Sequence, residues 1–143
     1  MMLKKYEYTL KNELAELDTL ASIIERLSET HNINPKISYA INLSLDELIT
    51  NIISYGYGDS AEHLINLVFE FSGEREYGAE LKIILIDDGK EFNPLEMPAP
   101  KTDIPLEERK IGGFGIYFVR KSMDDVFYER KDGKNTLTII KKI

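Results

Sequence analysis

Residues 46–59 read DELITNIISYGYGD, and the organisation of the whole chain can be worked out from this stretch. It lies in a helix that we predict over about 36–55, because apolar residues recur there at helical spacing. This apolar stripe consists of Ile37, Ile41, Leu45, Leu48 and Ile52. Between these positions the helix carries Glu47 and Asn51 one turn apart, directly before a glycine-rich break. Residues at that spacing share one helix face, so both polar groups can point into the same cleft.

The residue types of this pair suit phosphate chemistry. An asparagine carbonyl oxygen is a suitable ligand for Mg²⁺, which keeps several waters and takes its remaining oxygens from phosphates, so one protein ligand can suffice. A glutamate one turn earlier can accept a proton from an attacking hydroxyl or water. The alternative is that Glu47 and Asn51 simply face solvent, and this helix alone does not decide between the two.

The segments before and after this helix predict one further helix and five strands. KKYEYTL alternates and predicts a strand over about 4–10, and NELAELDTLASIIERLSETHN (12–32) has helical spacing. HLINLVFEFSG and AELKIILIDD are separated by the charged turn EREYG, which indicates an antiparallel pair. The C-terminal DVFYERKDGKNTLTIIKKI (125–143) alternates on both sides of KDGKN and predicts a second hairpin.

The region between the two hairpins has a different texture. Residues 93–112 contain four of the five prolines and no periodicity, which is typical of a functional lid or of disorder. GFGIYFVRKSMDD then predicts a glycine turn that opens a short helix. The resulting order of elements predicts a single α+β domain over 1–143, a two-layer sandwich of a mostly antiparallel mixed sheet with helices on one face. It does not match the regular strand–helix alternation of a doubly wound fold.

Composition narrows the class of protein. The chain has 143 residues and a net charge of −7, from 18 basic and 25 acidic residues. This charge disfavours direct nucleic-acid binding, because phosphate backbones are bound by clustered lysines and arginines. It contains no cysteine, so disulfides and thiolate metal sites are excluded. Apolar runs such as LKIILI are too short to span a membrane. MMLKKYEYTL lacks the apolar core of a signal peptide, so we expect a cytoplasmic protein.

Two more motifs carry possible binding chemistry. In IDDGKEF (86–92) a strand ends in carboxylates and a glycine, so an aspartate there can accept a hydrogen bond from an exocyclic amine. An ordinary Asp-Gly turn would look the same. In IGGFGIYFVR (111–120) glycines precede a helix, where free backbone N–H groups can hold a phosphate, although a plain glycine turn is equally compatible. Neither the Walker pattern nor the dinucleotide fingerprint is present.

Taken together and in this order, the motifs resemble the Bergerat-type (GHKL) ATP-binding fold of gyrase, the heat-shock chaperone, histidine kinases and mismatch-repair ATPases. The resemblance is greatest to the small anti-sigma factor serine/threonine kinases of bacterial partner-switching systems. ELITNIISYGYG looks like that family's N box, and IDDGKEFNPL looks like its first glycine box. GGFGIYFVRKSMDDVFYERKDGKNTLTIIKK looks like its second glycine box and C-terminal hairpin, so the similarity spans nearly the whole chain.

The resemblance implies roles for matching positions near the N box and the first glycine box. Glu47 would be the general base and Asn51 the Mg²⁺ ligand. Asp87 would bind the adenine amine, with Gly89 beside it, and Thr136 would assist near the base.

The resemblance also implies the phosphate contacts. Gly113 and Gly115 would give backbone amides to the phosphates, under an ATP lid formed by 93–112. Arg109 and Lys110 are both candidates for the lid residue that contacts phosphate. The first glycine box departs from the family pattern at Glu91, where a second glycine is common. The sequence therefore does not decide whether the backbone can act as a hinge at this position.

The function that this resemblance implies is transfer of the ATP γ-phosphoryl group to a serine of an anti-sigma antagonist protein. ATP and Mg²⁺ would be the cofactors, a sigma factor would be a further candidate partner, and a homodimer would be the expected assembly. Two other functions remain open: a nucleotide-loaded regulator that sequesters a sigma factor or antagonist, and an interaction domain without nucleotide. A histidine kinase is disfavoured, because neither His31 nor His63 lies in an acidic, proline-bounded helix.

Overall fold

A computed structural model describes residues 3–74, 78–96 and 113–143. In chain order the elements are β1 (Lys4–Lys11), α1 (Glu16–Thr30), α2 (Pro35–Tyr55), β2 (Leu64–Ser72), β3 (Glu80–Asp87), a 3₁₀ turn (Pro94–Glu96), α3 (Gly113–Ser122), β4 (Asp125–Lys131) and β5 (Lys134–Lys142). This order is the predicted one, and the predicted α+β fold is confirmed. In the described part of the chain, no helix is long and apolar enough to cross a membrane.

The five strands form one sheet in the order β1-β2-β3-β5-β4. All four ladders between these strands are antiparallel, so among the described residues the sheet has no parallel pair. The register places Asp87, at the end of β3, directly opposite Asn135 at the start of β5. Two positions that are 48 residues apart in sequence therefore meet at one end of the sheet.

The hydrophobic core lies between the sheet and the helices. Alternate strand residues are buried on one sheet face only, as expected for a sheet with one covered side. The buried set includes Leu67, Phe69, Ile83, Leu85 and Ile139 from the strands and Leu20, Ile24, Ile41, Leu45 and Ile49 from the helices. Burying a side chain of this size contributes about 1.5–3 kcal/mol, so this layer contributes much of what holds α1 and α2 against the sheet.

Helix α1 begins later than its sequence pattern predicts, at Glu16 instead of residue 12. Asn12 accounts for the difference, because both its backbone and its side chain bond to the segment before β2. Its N–H donates to the carbonyl of His63 at 3.1 Å, and its Oδ1 accepts from the N–H of His63 at 2.9 Å. These bonds hold residue 12 beside the start of β2, and a turn at residues 13–15 then leads into the helix.

Both ends of α2 are fixed by local chemistry. Asn34 caps the start, since its Oδ1 accepts from the N–H of Lys36 at 2.8 Å, and Pro35 occupies the first turn. At the other end Gly56 donates to the carbonyl of Ile52 at 2.8 Å. The Gly56 carbonyl accepts from the N–H of Lys90, also at 2.8 Å. The end of α2 is thereby joined to the loop that follows β3.

Candidate functional site

A cavity of about 340 Å³ lies between the C-terminal half of α2, the loop after β3 and the ends of β4 and β5. Its walls are mostly apolar, and its polar groups converge from four separate elements. The residues that line it include Leu48, Asn51, Ile52, Leu85, Asp87, Pro94, Tyr128, Asn135 and Leu137. An apolar cavity of this size with a few converging polar groups is the usual form of a small-molecule site.

Asp87 is the buried acid of this cavity, with 5% of its surface exposed. Its Oδ1 accepts hydrogen bonds from the N–H of Gly89 at 2.9 Å and from Nδ2 of Asn135 at 3.1 Å. Burial raises the pKa of the Asp87 carboxyl, and the bonds from Asn135 and Gly89 oppose that rise. Its second oxygen accepts no hydrogen bond from the described residues, so it can accept one from a ligand amine.

Gly89 lies where a side chain would not fit. A Cβ atom at this position would lie 2.7 Å from the carbonyl oxygen of Gly56 and 2.9 Å from Oδ1 of Asp87. Distances this short between unbonded atoms require the backbone to move. The loop after β3 can therefore pack against the end of α2 only because residue 89 has no side chain.

Asn135 organises this loop, and sequence reasoning missed it. Its Nδ2 also donates to the carbonyl of Lys90 at 2.7 Å. Its Oδ1 accepts from the N–H of Phe92 at 3.2 Å and from the hydroxyl of Tyr128. The signal available in the sequence was an asparagine at an inward position of an alternating strand, two residues before Leu137. A buried amide in an apolar row indicates a structural or ligand-binding partner.

The predicted pair on α2 stands at the boundary between two cavities. Nδ2 of Asn51 donates to Oε1 of Glu47 at 3.4 Å, and Asn51 lines the first cavity. Glu47 instead lines a second cavity of about 510 Å³ between α2 and α3. The two side chains touch, yet they face different spaces, which the one-cleft prediction did not anticipate.

The polar groups around Asn51 decide whether Mg²⁺ fits beside the first cavity. The Asn51 carbonyl oxygen accepts no hydrogen bond from the described residues, so this hard oxygen ligand is available beside the first cavity. Within ranges 3–74, 78–96 and 113–143, no group of three or more His, Cys, Asp or Glu side chains could hold a metal. A cation here would therefore depend on ligand phosphates and water, and the residues present fit that arrangement.

Helix α3 brings its predicted glycines towards the pair. It begins at Gly113, so Gly113 and Gly115 lie in its first turn, where backbone N–H groups have no intrahelical acceptor. Gly115 lies directly against Glu47: a Cβ atom at Gly115 would overlap with the carboxylate carbon and Oε1 of Glu47. The start of α3 can therefore pack against the Glu47 side chain of α2 only because residue 115 is a glycine.

Three other predicted site features have different outcomes. Thr136 does not line the cavity, because its neighbours Asn135 and Leu137 on β5 take the helix-facing positions and the alternation turns Thr136 to the opposite face. This orientation does not support the predicted contact of Thr136 with the adenine base. Arg109 and Lys110 lie outside the described residues, as does the predicted lid from residue 97 onwards.

A second polar cluster, centred on His63, holds the loop after α2 against the end of β3. Nε2 of His63 lies 2.7 Å from Oδ1 of Asp59, and Nδ1 lies 3.2 Å from Oδ1 of Asp88. The Tyr57 ring stacks on the His63 ring with centroids 4.0 Å apart. The hydrogen bond to Asp59 is the main reason that the pKa of His63 is raised above its ordinary 6.5. Sequence spacing gave no indication of this cluster.

This cluster predicts a pH-dependent stability. A group whose pKa is raised by folding stabilises the fold fully below its ordinary pKa, and that contribution disappears as pH rises through the raised value. We therefore expect His63→Gln to lower the free energy of unfolding more at about pH 5.5 than at about pH 9. Urea unfolding of both proteins at the two pH values measures this. An equal loss at both would contradict the ion-pair account and leave only ring stacking.

Comparison with known proteins identifies the family of the chain. Residues 10–141 match the family model described as the histidine kinase-like ATPase domain. The chain belongs to this family. The family resemblance inferred from the three motifs is therefore confirmed, and membership of an ATPase family implies ATP binding.

Two curated relatives of this histidine kinase-like ATPase domain are named as protein kinases. The chain is 24% identical over 116 residues to the serine/threonine-protein kinase BtrW of Bordetella bronchiseptica, covering 81% of this chain and 78% of that protein. It is 27% identical over 113 residues to the serine-protein kinase RsbW of Oceanobacillus iheyensis, covering 76% of this chain and 65% of that protein. The chain is thus similar to two proteins that are named as protein kinases.

Proposed function

We propose that this ATPase domain is a serine/threonine protein kinase of the anti-sigma factor type, which transfers the γ-phosphoryl group of Mg·ATP to a serine of an antagonist protein. The single observation that carries the proposal is the position of Glu47 between two cavities. It contacts Asn51, which lines the first cavity, while it lines the second cavity itself. A base that must reach a protein hydroxyl on one side and a nucleotide on the other needs this position. The names of the two relatives support the same reaction.

The first cavity would hold the adenine base. Asp87 offers its second carboxylate oxygen to the exocyclic amine, and the bonds that its Oδ1 accepts from Gly89 and Asn135 keep the carboxylate fixed. The side chains of Ile52 and Leu137 give apolar walls for the two faces of the ring. Because the acid cannot turn away, a base that offers an amine is favoured over one that offers a carbonyl at the same place.

The phosphates would lie between Asn51 and the start of α3. Asn51 would hold Mg²⁺, which supplies charge neutralisation for phosphoryl transfer when bound. The backbone N–H groups of Gly113 and Gly115 point from the positive end of α3 and would bind phosphate oxygens. Arg109 and Lys110 of the predicted lid remain candidates for a further contact.

Glu47 would take the proton of the acceptor serine as the serine oxygen attacks the γ-phosphorus of ATP and ADP leaves. Its Oε1 accepts from Asn51, and its Oε2 accepts no hydrogen bond from the described residues. One carboxylate oxygen is therefore held in place while the other is available to the hydroxyl. Phosphoryl transfer depends mainly on positioning and charge, so one base, one metal ligand and backbone amides are sufficient.

The partners follow from the same proposal. The acceptor would be an anti-sigma antagonist protein, and a sigma factor would be a second partner held by the unphosphorylated system. A homodimer remains a prediction of the family resemblance. The test is incubation with γ-labelled Mg·ATP and purified antagonist proteins encoded near its gene. Labelled phosphoserine on one antagonist is expected, whereas ATP binding without transfer would indicate the sequestering regulator instead.

Asn51→Ala is expected to weaken Mg·ATP binding strongly while the fold survives. The variant removes a ligand to a charged ion, an interaction typically worth about 1.5–3 kcal/mol, or about ten- to a hundredfold in Kd. Calorimetric titration with Mg·ATP measures the Kd, and the same titration without Mg²⁺ should show a smaller difference between variant and wild type. Asn66→Ala is the matched control, because among the described residues its side chain bonds only Thr9. Wild-type affinity in Asn51→Ala would refute the ligand assignment.

A further inference from the structure

We propose that the second cavity binds the segment of the acceptor protein that carries the phosphorylated hydroxyl, and that Asp46 pairs with a lysine or arginine of that segment. This inference rests on the proposed kinase function, whose base is Glu47. We call the cavity the acceptor groove and define it by Leu43, Asp46, Glu47 and Thr50 of α2 and Gly115 and Tyr117 of α3. It opens directly onto the base, on the side away from the adenine cavity.

The polar groups of this part of α2 are incompletely satisfied. Oδ1 of Asp46 and Oδ1 of Asn42 are shielded from water and have no hydrogen-bond partner in the described parts of the chain. The other oxygen of Asp46 accepts from Nδ2 of Asn42 at 3.4 Å. Buried polar atoms are nearly always paired in native proteins, so these unpaired acceptors leave the Asp46 carboxylate, which is partly exposed at the groove wall, short of a hydrogen-bond donor.

The missing donor is best supplied as a positive charge. Both unpaired atoms are acceptors, and Asp46 carries a carboxylate whose burial raises its pKa, which means that its charge is poorly compensated. Lys121 also lines the groove, but its Nζ lies over the Tyr117 ring, 5.4 Å from the centroid. In the described ranges it forms no ion pair with Asp46. The acidic wall thus complements a basic side chain from outside.

The walls of the groove suit a peptide segment. Leu43 on α2 and Tyr117 on α3 are 39% and 40% exposed, and Tyr39, one turn before Leu43, is 68% exposed. Exposed apolar side chains beside a polar cleft are typical of protein-binding surfaces. Asp46 and Glu47 are adjacent in sequence, so a basic side chain on Asp46 would hold a hydroxyl from the same short segment near Glu47.

Asp46→Asn tests this, because it keeps the shape of the side chain and removes its charge. The probe is the antagonist protein that the wild-type enzyme labels, with its phosphoserine located by mass spectrometry. We expect the KM for this protein to rise about ten- to a hundredfold, with kcat and the KM for ATP little changed. Added salt should weaken the wild-type reaction more than that of the variant. Asp18→Asn, an exposed acid on α1, is the matched control.

A double-mutant cycle distinguishes an ion pair from a structural effect. In the antagonist, each lysine or arginine within about five residues of the phosphoserine is changed to alanine. An extended segment of five residues is about 17 Å long, which limits how far from the serine the basic residue can lie. One of these changes should raise the KM of wild type as Asp46→Asn does, and should add little when combined with it. An unchanged KM in Asp46→Asn, full additivity for every basic residue, or an equal rise in the KM for ATP would overturn the proposal.

The groove and the kinase function can fail separately. If wild type labels a protein and Asp46→Asn labels it equally well, the groove is wrong and the kinase function stands. If wild type labels none, the kinase function fails, and the same antagonist proteins are titrated calorimetrically into the Mg·ADP-loaded chain. Weaker binding by Asp46→Asn than by wild type would still support the groove. Equal binding by both, or binding by neither, would overturn it.

Discussion

Glu47→Gln is expected to lower the rate of phosphoryl transfer by about 10²–10⁴-fold, the usual contribution of a positioned general base, while Mg·ATP still binds. Glutamine has the size of glutamate, and its carbonyl oxygen can still accept the bond from Asn51 that Oε1 accepts now. It cannot take a proton from the attacking serine. The loss should therefore appear in the chemical step and spare nucleotide affinity.

Single-turnover transfer from γ-labelled ATP measures the chemical step, and calorimetric titration measures the affinity for Mg·ATP. Glu47→Ala should show the same loss of transfer, since it also lacks the base. Glu25→Gln on the exposed side of α1 is a control for the charge change. An undiminished transfer rate in Glu47→Gln would rule out Glu47 as the base, and lost nucleotide binding would assign it to the nucleotide site instead.

The elements of the fold were predictable because each has a local signal. The period of the apolar residues in α2 and the alternation on both sides of KDGKN are properties of short segments. The order of the strands has no such signal, because it depends on which edges meet after the chain has folded. The pairing of β3 with β5, two strands separated by the whole region 88–133, is the clearest example.

In the candidate site, too, residues with a local signal were predictable and those brought together by the folded chain were not. Asp87 was found because it ends an apolar strand, but its partner Asn135 is known only through the register that brings them opposite each other. Thr136 shows how little separates a correct from an incorrect assignment on a strand: a shift of one residue turns a side chain to the other face. His63 was missed because Asp88 lies in a separate loop, and because Asp59, four residues earlier in the same loop, is in no helix that would pair the two.

Gly115→Ala is expected to be as damaging to transfer as the loss of the base itself. Alanine inside a helix normally stabilises relative to glycine by about 0.5–1 kcal/mol. Here the added methyl group would overlap with the carboxylate of Glu47, so either that carboxylate or the start of α3 must move. We expect the free energy of unfolding to fall by about 1–3 kcal/mol, as overpacking does, and the base to lose its place between the cavities.

Two variants isolate this overlap. Gly58→Ala is the matched control, because its nearest neighbour would be the end of the Lys90 side chain at an ordinary 3.5 Å. In the double variant Glu47→Ala/Gly115→Ala the obstructing carboxylate is gone, so we expect urea unfolding to show that most of the lost stability returns, while transfer stays absent. A stability loss that persists in the double variant would mean that Gly115 is required by another neighbour, and that Glu47 and α3 do not meet as described.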